Sequence, residues 1–275
     1  MRDRRYAIGD RRYATRTTQY ATFLLLTLLA ACAPQPLTVT PQPETVRIVA
    51  TDTCGPLAEE LAIAYQEAYP WITVQVDVFN DAVAEQRLRA GAADLALLSW
   101  ASEDPAPLWT VSFARDAVAV IVHPAVPAES LNRPDLHEVF RGRIGEWADG
   151  TPIQVVSREE GSGVRAVFEA AVMDGRDVTL TALMVADSAA MVEAVAATPG
   201  AIGYVSLGRL DGSVRALAID GLLPDRAVQE GGPLAYPLFL AAPAEPTGAV
   251  RDFAQWVLSP DGQAWVARRF STTDR

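Results

Sequence analysis

The sequence predicts an α/β protein of two lobes, each a mainly parallel sheet flanked by helices, with a ligand cleft between the lobes. Strand and helix patterns alternate over residues 46–98, which is typical of parallel sheets. A second alternating series follows a long apolar strand at residues 111–122, which suits passage from one lobe to the other. We therefore expect lobe 1 to comprise residues 46–115 and 207–275, and lobe 2 to comprise residues 116–206.

The first 31 residues have the pattern of a lipoprotein signal peptide. Residues 1–20 are rich in Arg, and residues 21–30 form an apolar run that is too short to span a membrane as a permanent helix. The run ends in Leu-Ala-Ala-Cys, which resembles the bacterial lipobox, and Cys32 would then carry the lipid. An ordinary small-residue cleavage site is the alternative. The expected location is extracytoplasmic, with the chain anchored to the cell membrane through lipid.

A Pro- and Thr-rich segment, residues 32–45, shows neither helical nor strand periodicity. Chains of this composition are extended, so we expect a tether that holds the folded body away from the membrane.

Charge and cysteine content exclude several classes of function. The formal net charge is −11, and removal of the Arg-rich leader makes the body more acidic still, so nucleic acid is a poor partner. Cys54 is the only cysteine besides Cys32, which disfavours an intrachain disulfide, and we expect it to be a buried small hydrophobe. No Cys/His spacing indicates a metal site, and no cofactor is expected.

In lobe 1, the first strand is predicted at residues 46–50, followed by a helix that has Pro56 in its first turn. Thr53 precedes that helix, with simple N-capping as the plain alternative to a ligand role. In order, the remaining elements are a strand at 72–79, a helix at 82–90 and a strand at 93–98. Loops at the carboxyl ends of such strands line ligand sites.

Further along the chain we predict a short helix at residues 133–140 capped by Asn132, and a helix at 189–197 that ends before Pro199-Gly200. The other predicted elements are strands at 153–156, 184–185, 201–205, 214–218 and 234–241, and closing helices at about 247–258 and from Pro260 onward.

The most informative stretch, residues 155–171, reads as a strand, a Gly161-Ser162-Gly163 turn and a helix. Glycines allow close backbone approach, and the first turn of a helix presents unpaired N–H groups, so the turn suits an anion. Arg158 adds a charge whose fork fits two oxygens of a tetrahedral oxyanion. The alternative is ordinary loop punctuation, because no Lys follows as it would in a Walker loop.

Several segments together resemble the substrate-binding lipoproteins of bacterial phosphate ABC transporters, within the type II periplasmic binding protein family. The resemblance covers residues 46–270. The segments that carry it are PLAE at 56–59, residues 91–98, LHEVFRGRIGEW at 136–147, SREEGSGVRAVFE at 157–169, TPGAIGYVSL at 198–207 and FAQWVLSPDGQAW at 253–265.

The resemblance implies a monomeric two-lobed clamp that closes on inorganic phosphate, or a similar oxyanion, and delivers it to ABC permease subunits. Carried over position by position, the ligand-binding residues are Thr53, Cys54, Asp81, Ser99, Arg158, Ser162, Gly163 and Val164, with Cys54, Gly163 and Val164 contributing backbone amides. The chain departs from the family at three of these positions. Asp81 replaces a frequent serine, Val164 replaces a threonine, and Ser99 replaces the aspartate that accepts a proton of the ligand.

Three other functions are weighed against phosphate transport. One is transport of another anion, such as sulfate, molybdate, tungstate or an organic phosphate. Another is a sensing or scaffold role without a permease. An enzyme is disfavoured, because only His123 and His137 are available as histidine bases and neither lies near a nucleophile in sequence.

Overall fold

The computed structural model describes residues 42–99 and 108–272. The predicted leader with Cys32 and most of the tether lie outside the described residues. The strands are β1 (Glu44–Thr51), β2 (Ile72–Phe79), β3 (Leu95–Leu98), β4 (Trp109–Val122), β5 (Ser130–Leu131), β6 (Gln154–Arg158), β7 (Leu183–Val185), β8 (Ala201–Ser206), β9 (Arg215–Ala216), β10 (Ala218–Ile219), β11 (Ala235–Ala242) and β12 (Ser271–Thr272).

The described helices follow the same order. They are α1 (Gly55–Ala68), α2 (Asp81–Arg89), α3 (Arg133–Phe140), α4 (Gly163–Phe168), α5 (Ser188–Ala197), α6 (Pro224–Glu230), α7 (Gly248–Leu258) and α8 (Pro260–Val266), with a π-helical turn at Glu169–Met173 and a 3₁₀ turn at Leu207–Arg209. Among these described helices, none is both long enough and apolar enough to cross a bilayer.

Strand β4 joins the two halves of the main sheet. Its first part pairs antiparallel with β11 from Trp109 to Ala117, and its last part pairs antiparallel with β8 from Val118 to Val122. The sheet order is β2-β1-β3-β11-β4-β8-β6-β7. We call the β2-β1-β3-β11 side the first half and the β8-β6-β7 side the second half. A strand of 14 residues thus carries the chain from one half to the other, as its apolar length predicts.

Each half contains a parallel group of strands. Strand β1 pairs parallel with β2 and β3, and β6 pairs parallel with β7 and β8. The carboxyl ends of β1 and β6 are followed directly by the loops that lead into α1 and toward α4. This arrangement matches the predicted α/β class, although the antiparallel pairings of β11 and β4 at the centre were not predicted from the sequence.

Apolar alternation explains how the helices attach to the sheet. Helix α1 buries Leu57, Leu61 and Tyr65 at helical spacing, and these side chains join a core cluster that continues through Phe140 and Tyr204. A smaller cluster packs α5 against β8 through Met191 and Val195. The core therefore reaches both halves of the sheet.

Most predicted elements occur within a few residues of their predicted bounds, and two local predictions need correction. Residues 214–218 form two short strands, β9 and β10, that belong to different sheets rather than one continuous strand. Helix α6 was not predicted, because seven residues are too few to show a helical period. The lobe boundaries at 115/116 and 206/207 stay a prediction.

Candidate oxyanion-binding site

The turn between β6 and α4 has the conformation that a close approach requires. Gly161 has a positive φ of 84°, and a Cβ built on it would lie 2.8 Å from the Ala82 Cβ of the first half. Ser162 caps α4, with its hydroxyl oxygen accepting a 3.4 Å hydrogen bond from the Arg165 amide. The glycine therefore allows the second half to lie directly against the first.

Arg158 carries its charge inside the protein. It is only 1% exposed, and its guanidinium donates to the Asp52 carboxylate at 3.1 Å, to the Ala186 carbonyl at 3.0 Å and to the Ser188 hydroxyl at 3.4 Å. Its buried Nε finds no hydrogen-bond partner within residues 42–99 and 108–272. A buried donor without a partner is costly, so this nitrogen is suited to a ligand oxygen.

Asp52 reaches Arg158 from the opposite half of the sheet. It follows β1, and its Oδ2 accepts hydrogen bonds from the Ser188 amide at 3.1 Å and the Ser188 hydroxyl at 2.5 Å as well as from Arg158. Ser188 is the first residue of α5, where free amide groups carry partial positive charge. One carboxylate oxygen is thus bound by a guanidinium, a hydroxyl and a helix amide together.

Asp81 makes an equivalent connection on the other side of the turn. Its Oδ1 accepts from the Ser99 amide at 3.0 Å and the Ser99 hydroxyl at 2.6 Å, and its Oδ2 accepts from the Gly163 amide at 2.8 Å. A Cβ at Gly163 would overlap the Asp81 carboxylate. The first amide of α4, predicted to bind an anion, therefore binds a carboxylate of the protein itself.

Two further contacts bring the same loops together. The Asn80 side-chain amide donates to Glu159 at 2.7 Å, and the Ala82 amide donates to the Gly161 carbonyl at 3.0 Å. Asn80 also caps α2 by accepting from the Val83 amide. The start of α2 is consequently held against the turn before α4.

The remaining predicted site residues take different places. Thr53 is 2% exposed, and its hydroxyl donates no hydrogen bond to a residue that the structure describes, so it is available to a ligand. It does not cap α1, whose N-cap is Cys54 without a side-chain cap bond. The Cys54 amide donates to the Thr51 carbonyl at 2.9 Å, so a role in ligand binding would require it to be shared. Val164 is buried in the core, and only its amide remains relevant.

Burial also explains the state of Cys54. Its side chain is fully buried, as predicted, and desolvation raises the pKa of the thiol far above its ordinary value. The thiol is therefore protonated at neutral pH and unreactive.

Tyr204 of β8 supports the strand that carries Arg158. Its hydroxyl lies 2.8 Å from the Ser157 hydroxyl and accepts from the Arg158 amide at 3.3 Å, and its ring stacks on Phe168 with centroids 4.2 Å apart. Burial raises the pKa of the Tyr204 hydroxyl. The neutral Tyr204 hydroxyl thus helps to fix the position of the Arg158 backbone.

A pocket of about 460 Å³ opens beside Asp81. Of the residues that the structure describes, five carboxylate residues and one arginine line it, and that arginine, Arg165, is paired with Glu169 at 2.7 Å. The carboxylate residues are Asp81, Glu85, Glu160, Glu169 and Asp177. The rim of the site is therefore acidic, and attraction of an anion has to come from the donors inside.

A second buried carboxylate, Asp116, lies on β4 next to the point where pairing passes from β11 to β8. It accepts from the Ser206 hydroxyl, from the Tyr236 hydroxyl at 2.8 Å and from the Ala117 amide at 2.8 Å. Desolvation raises the pKa of Asp116 to about 6, against the lowering effect of these hydrogen bonds. This group lies where the two halves join rather than among the predicted ligand donors.

Two residues of the site were missed by sequence reasoning, Asp52 and Ser188. Asp52 lies in the loop between the first predicted strand and Thr53, and the sequence analysis gives it no role. Ser188 begins a helix directly after β7, which is the same strand-loop-helix pattern that singled out Ser162. Applying that pattern to β7 and α5 would have found Ser188, whereas its pairing with a residue 136 positions away has no local signal.

Comparison with known proteins shows the family of this chain. A model of the PBP superfamily domain matches residues 36–261. The phosphate-binding protein PstS of Bacillus subtilis is 26% identical over 222 residues, covering 76% of this chain and 73% of that protein.

Solved structures agree with this. A putative phosphate ABC transporter substrate-binding protein with bound phosphate from Clostridium perfringens superposes with a TM-score of 0.79 at 25% identity, covering 84% of this chain and all of that one. An ABC-type phosphate transport receptor from Vibrio cholerae gives a TM-score of 0.70 at 25% identity, covering 83% and 100%. The predicted two-lobed fold is thereby confirmed.

Proposed function

Because the chain belongs to the PBP superfamily, we propose that it is an extracytoplasmic solute-binding protein that captures inorganic phosphate and delivers it to an ABC permease. The observation that carries the proposal is that donors from both halves converge on oxyanion groups. Asp52 and Asp81 of the first half are bound by Arg158, Ser188 and Gly163 of the second half. A site that holds two carboxylates by guanidinium, hydroxyl and amide groups has the chemistry for phosphate.

In this proposal, phosphate takes the place of those carboxylates. Arg158 supplies a fork whose Nε has no partner among the residues that the structure describes, and the Gly163 and Val164 amides lie at the N-terminus of α4. The hydroxyls come from Ser162 on the second half and Thr53 on the first. Phosphate that contacts both halves would hold them together, which is the action of a clamp.

The first-half residues have distinct parts in this binding. Ser99 offers a hydroxyl oxygen that accepts the proton of hydrogen phosphate once Asp81 no longer holds it. Asp81 is the group that phosphate displaces from the Gly163 amide. Cys54 contributes only if its amide is shared between Thr51 and the ligand.

The proposed role is binding without catalysis. Both histidines are engaged with backbone groups: His123 accepts from the Ala125 amide at 3.1 Å, and the His137 ring lies 2.9 Å from the Val172 carbonyl. Within residues 42–99 and 108–272, no cluster of His, Cys, Asp or Glu has the arrangement of a metal site.

Cys32 would anchor the protein to the outer face of the cell membrane, and the protein would act there as a monomer. The sequence of the leader supports the anchor, because an apolar run there ends in Leu-Ala-Ala-Cys. The alternatives are the same fold used for another oxyanion and a sensing or scaffold role without a permease.

A titration panel tests the choice of anion. The chain from Ala33 onward would be titrated calorimetrically with phosphate, sulfate and molybdate at fixed ionic strength. We expect saturable one-to-one binding of phosphate and weaker binding of sulfate, because sulfate brings no proton to Ser99. Tighter binding of sulfate or molybdate would move the assignment to that anion, and no binding of any of the three would favour the scaffold role.

A further inference from the structure

The donors of the candidate site are already occupied by two carboxylates of the same chain. Among the described residues, Ser99 donates two hydrogen bonds to Asp81 and Gly163 donates one. Asp52 accepts from Arg158 and twice from Ser188. Both carboxylates belong to the first half of the sheet, and each is bound by a donor of the second half.

We propose that Asp52 and Asp81 set the affinity of the site by acting as built-in competitors of the ligand, and that their bonds across the cleft hold the ligand-free protein closed. This inference rests on the proposed function, because it concerns the same donors. The proposed function concerns the binding of phosphate by these donors, whereas the present proposal concerns the groups that the same donors bind when phosphate is absent.

The geometry makes the competition direct. The Asp81 carboxylate lies so close to Gly163 that a single Cβ at that glycine would overlap it. A ligand oxygen on the Gly163 amide would have to occupy the same volume, so Asp81 must leave before phosphate can bind there. Likewise, the Ser188 amide and hydroxyl have one hydrogen each, which they donate to Asp52, so they cannot bind a second anion without releasing that carboxylate.

Charge favours the same conclusion. Arg158 brings one positive charge to the site, whereas Asp52 and Asp81 bring two negative charges. The pocket beside Asp81 adds four more acidic residues and one arginine. A divalent anion therefore enters only when at least one of the two carboxylates moves away from the donors.

Other contacts help to keep the halves together without a ligand. The bonds from Asn80 to Glu159 and from Ala82 to Gly161 lie on either side of the Asp81 contact. Together with the Asp52 contacts they form a continuous set across the cleft. Closure would then precede ligand binding, and the ligand would exchange with the carboxylates during brief opening.

The first test compares phosphate affinities by calorimetry on the full-length protein. Asp81→Ser removes the competing carboxylate and supplies a hydroxyl, so we expect binding about 10- to 100-fold tighter, equivalent to losing one or two charge-assisted hydrogen bonds from the competing state. Asp81→Asn keeps the side-chain volume and should also bind more tightly. The matched control is Asp77→Ser on the exposed face of β2, which makes the same change in net charge and should stay within about twofold.

The second test measures the shape of the protein without ligand. Small-angle X-ray scattering should give the unaltered protein the same radius of gyration with and without phosphate. The double variant Asp52→Ser/Asp81→Ser should have a larger radius without phosphate, which falls when phosphate is added. Circular dichroism on each variant separates opening of the cleft from unfolding.

The outcomes distinguish this inference from the proposed function. Equal or weaker phosphate binding by both Asp81 variants, or a ligand-free double variant as compact as the unaltered protein, would overturn the competition. If no variant binds phosphate, the proposed function fails, but the ligand-free radii still decide whether the two carboxylates hold the halves closed.

Discussion

The Arg158 guanidinium is held almost wholly inside the protein, between a carboxylate, a carbonyl and a hydroxyl. Of these three partners, only Asp52 carries a negative charge. A buried ion pair stabilises the fold only while both members are present, because loss of one leaves the other charge buried without a partner. A phosphate that replaces Asp52 would restore the charge balance and could use the Nε that the protein leaves without a described partner.

Replacement of Arg158 by Ala should therefore weaken phosphate binding strongly. Loss of one charge-assisted contact costs about 1.5–3 kcal/mol, or about 10- to 150-fold in the dissociation constant. The measurement is calorimetric titration, with Arg47→Ala as control because Arg47 pairs with Asp94 on the surface. Phosphate affinity equal to that of the Arg47 variant would show that the guanidinium does not touch the ligand.

The raised pKa of Asp116 predicts that its contribution to stability falls as the pH rises. Its pKa is raised by burial to about 6 in the folded protein, against an ordinary value of about 4. The folded state therefore binds the proton more tightly than the unfolded state. The contribution to stability is complete below about pH 4 and is lost as the pH rises through about 6, by roughly 3 kcal/mol in total.

The variant Asp116→Asn should remove that slope. Its free energy of unfolding, measured by urea titration at pH 4, 5, 6 and 7, should fall less with rising pH than that of the unaltered protein. The comparison is made as a difference, because other carboxyls, such as Asp94 with its pKa lowered by Arg47, act with the opposite sign. Parallel curves for the two proteins would contradict the assignment.

At this scale, local pattern predicted Arg158, Ser162 and Gly163, because a strand, a glycine turn and a helix fix their relative positions within a few residues. It could not predict that Asp81 and Asp52 would bind their donors, since those contacts join residues 82 and 106 positions apart. The resemblance to phosphate-binding proteins led to Asp81 only as a departure from the family.

At the scale of elements, the site is made where loops leave parallel strands. The loop after β1 supplies Asp52 and Thr53, the turn after β6 supplies Ser162, and the start of α5 after β7 supplies Ser188. Because the carboxyl ends of these strands lie at one edge of the sheet, short loops are enough to bring their side chains together.

The turn from α5 into β8 depends on one glycine. Gly200 has a φ of +80°, and a Cβ there would overlap the Pro152 carbonyl oxygen. Its own carbonyl accepts from the Trp147 indole at 2.9 Å. Gly200→Ala should therefore lower the free energy of unfolding by roughly 2 kcal/mol or more.

The matched control is Gly212→Ala, because a Cβ at Gly212 would meet nothing within 4 Å. That variant should stay within about 0.5 kcal/mol of the unaltered protein. Urea titrations at neutral pH measure both. Equal stability of the two variants would mean that the turn relaxes without cost.

Element bounds were predictable where apolar periodicity and caps agree. Helix α3 begins after Asn132, whose side chain accepts from the Asp135 amide, and its observed span is the predicted one. Helix α6 has no capping side chain and only seven residues, so its pattern is too short to recognise. Segment 214–218 reads as one strand because its alternation is continuous, and tertiary pairing divides it.

At the scale of the whole molecule, the acidic composition and the anionic ligand are compatible because binding is local. The formal net charge is −11, and long-range attraction of phosphate is therefore weak. Amides at the helix starts, hydroxyls and one guanidinium act only at hydrogen-bond distance. Their effect is large because they are buried.

Because β4 joins the two halves of the sheet, the candidate site takes residues from both halves. Residues on both sides of that strand reach the same place, so a ligand held there must contact both halves. Composition and order of elements predicted this two-part arrangement, whereas the present closeness of the halves depends on side chains that pattern alone does not pair.

The most direct test of the account is phosphate titration of Thr53→Ala beside the unaltered protein. Thr53 belongs to the first half, directly after Asp52, and makes none of the bonds that join Asp52 and Asp81 to the second half. We predict saturable phosphate binding by the unaltered protein and a loss of about fivefold to tenfold in the variant, the value of one hydrogen bond. Binding of equal strength in the two would contradict the claim that one oxyanion is held from both halves.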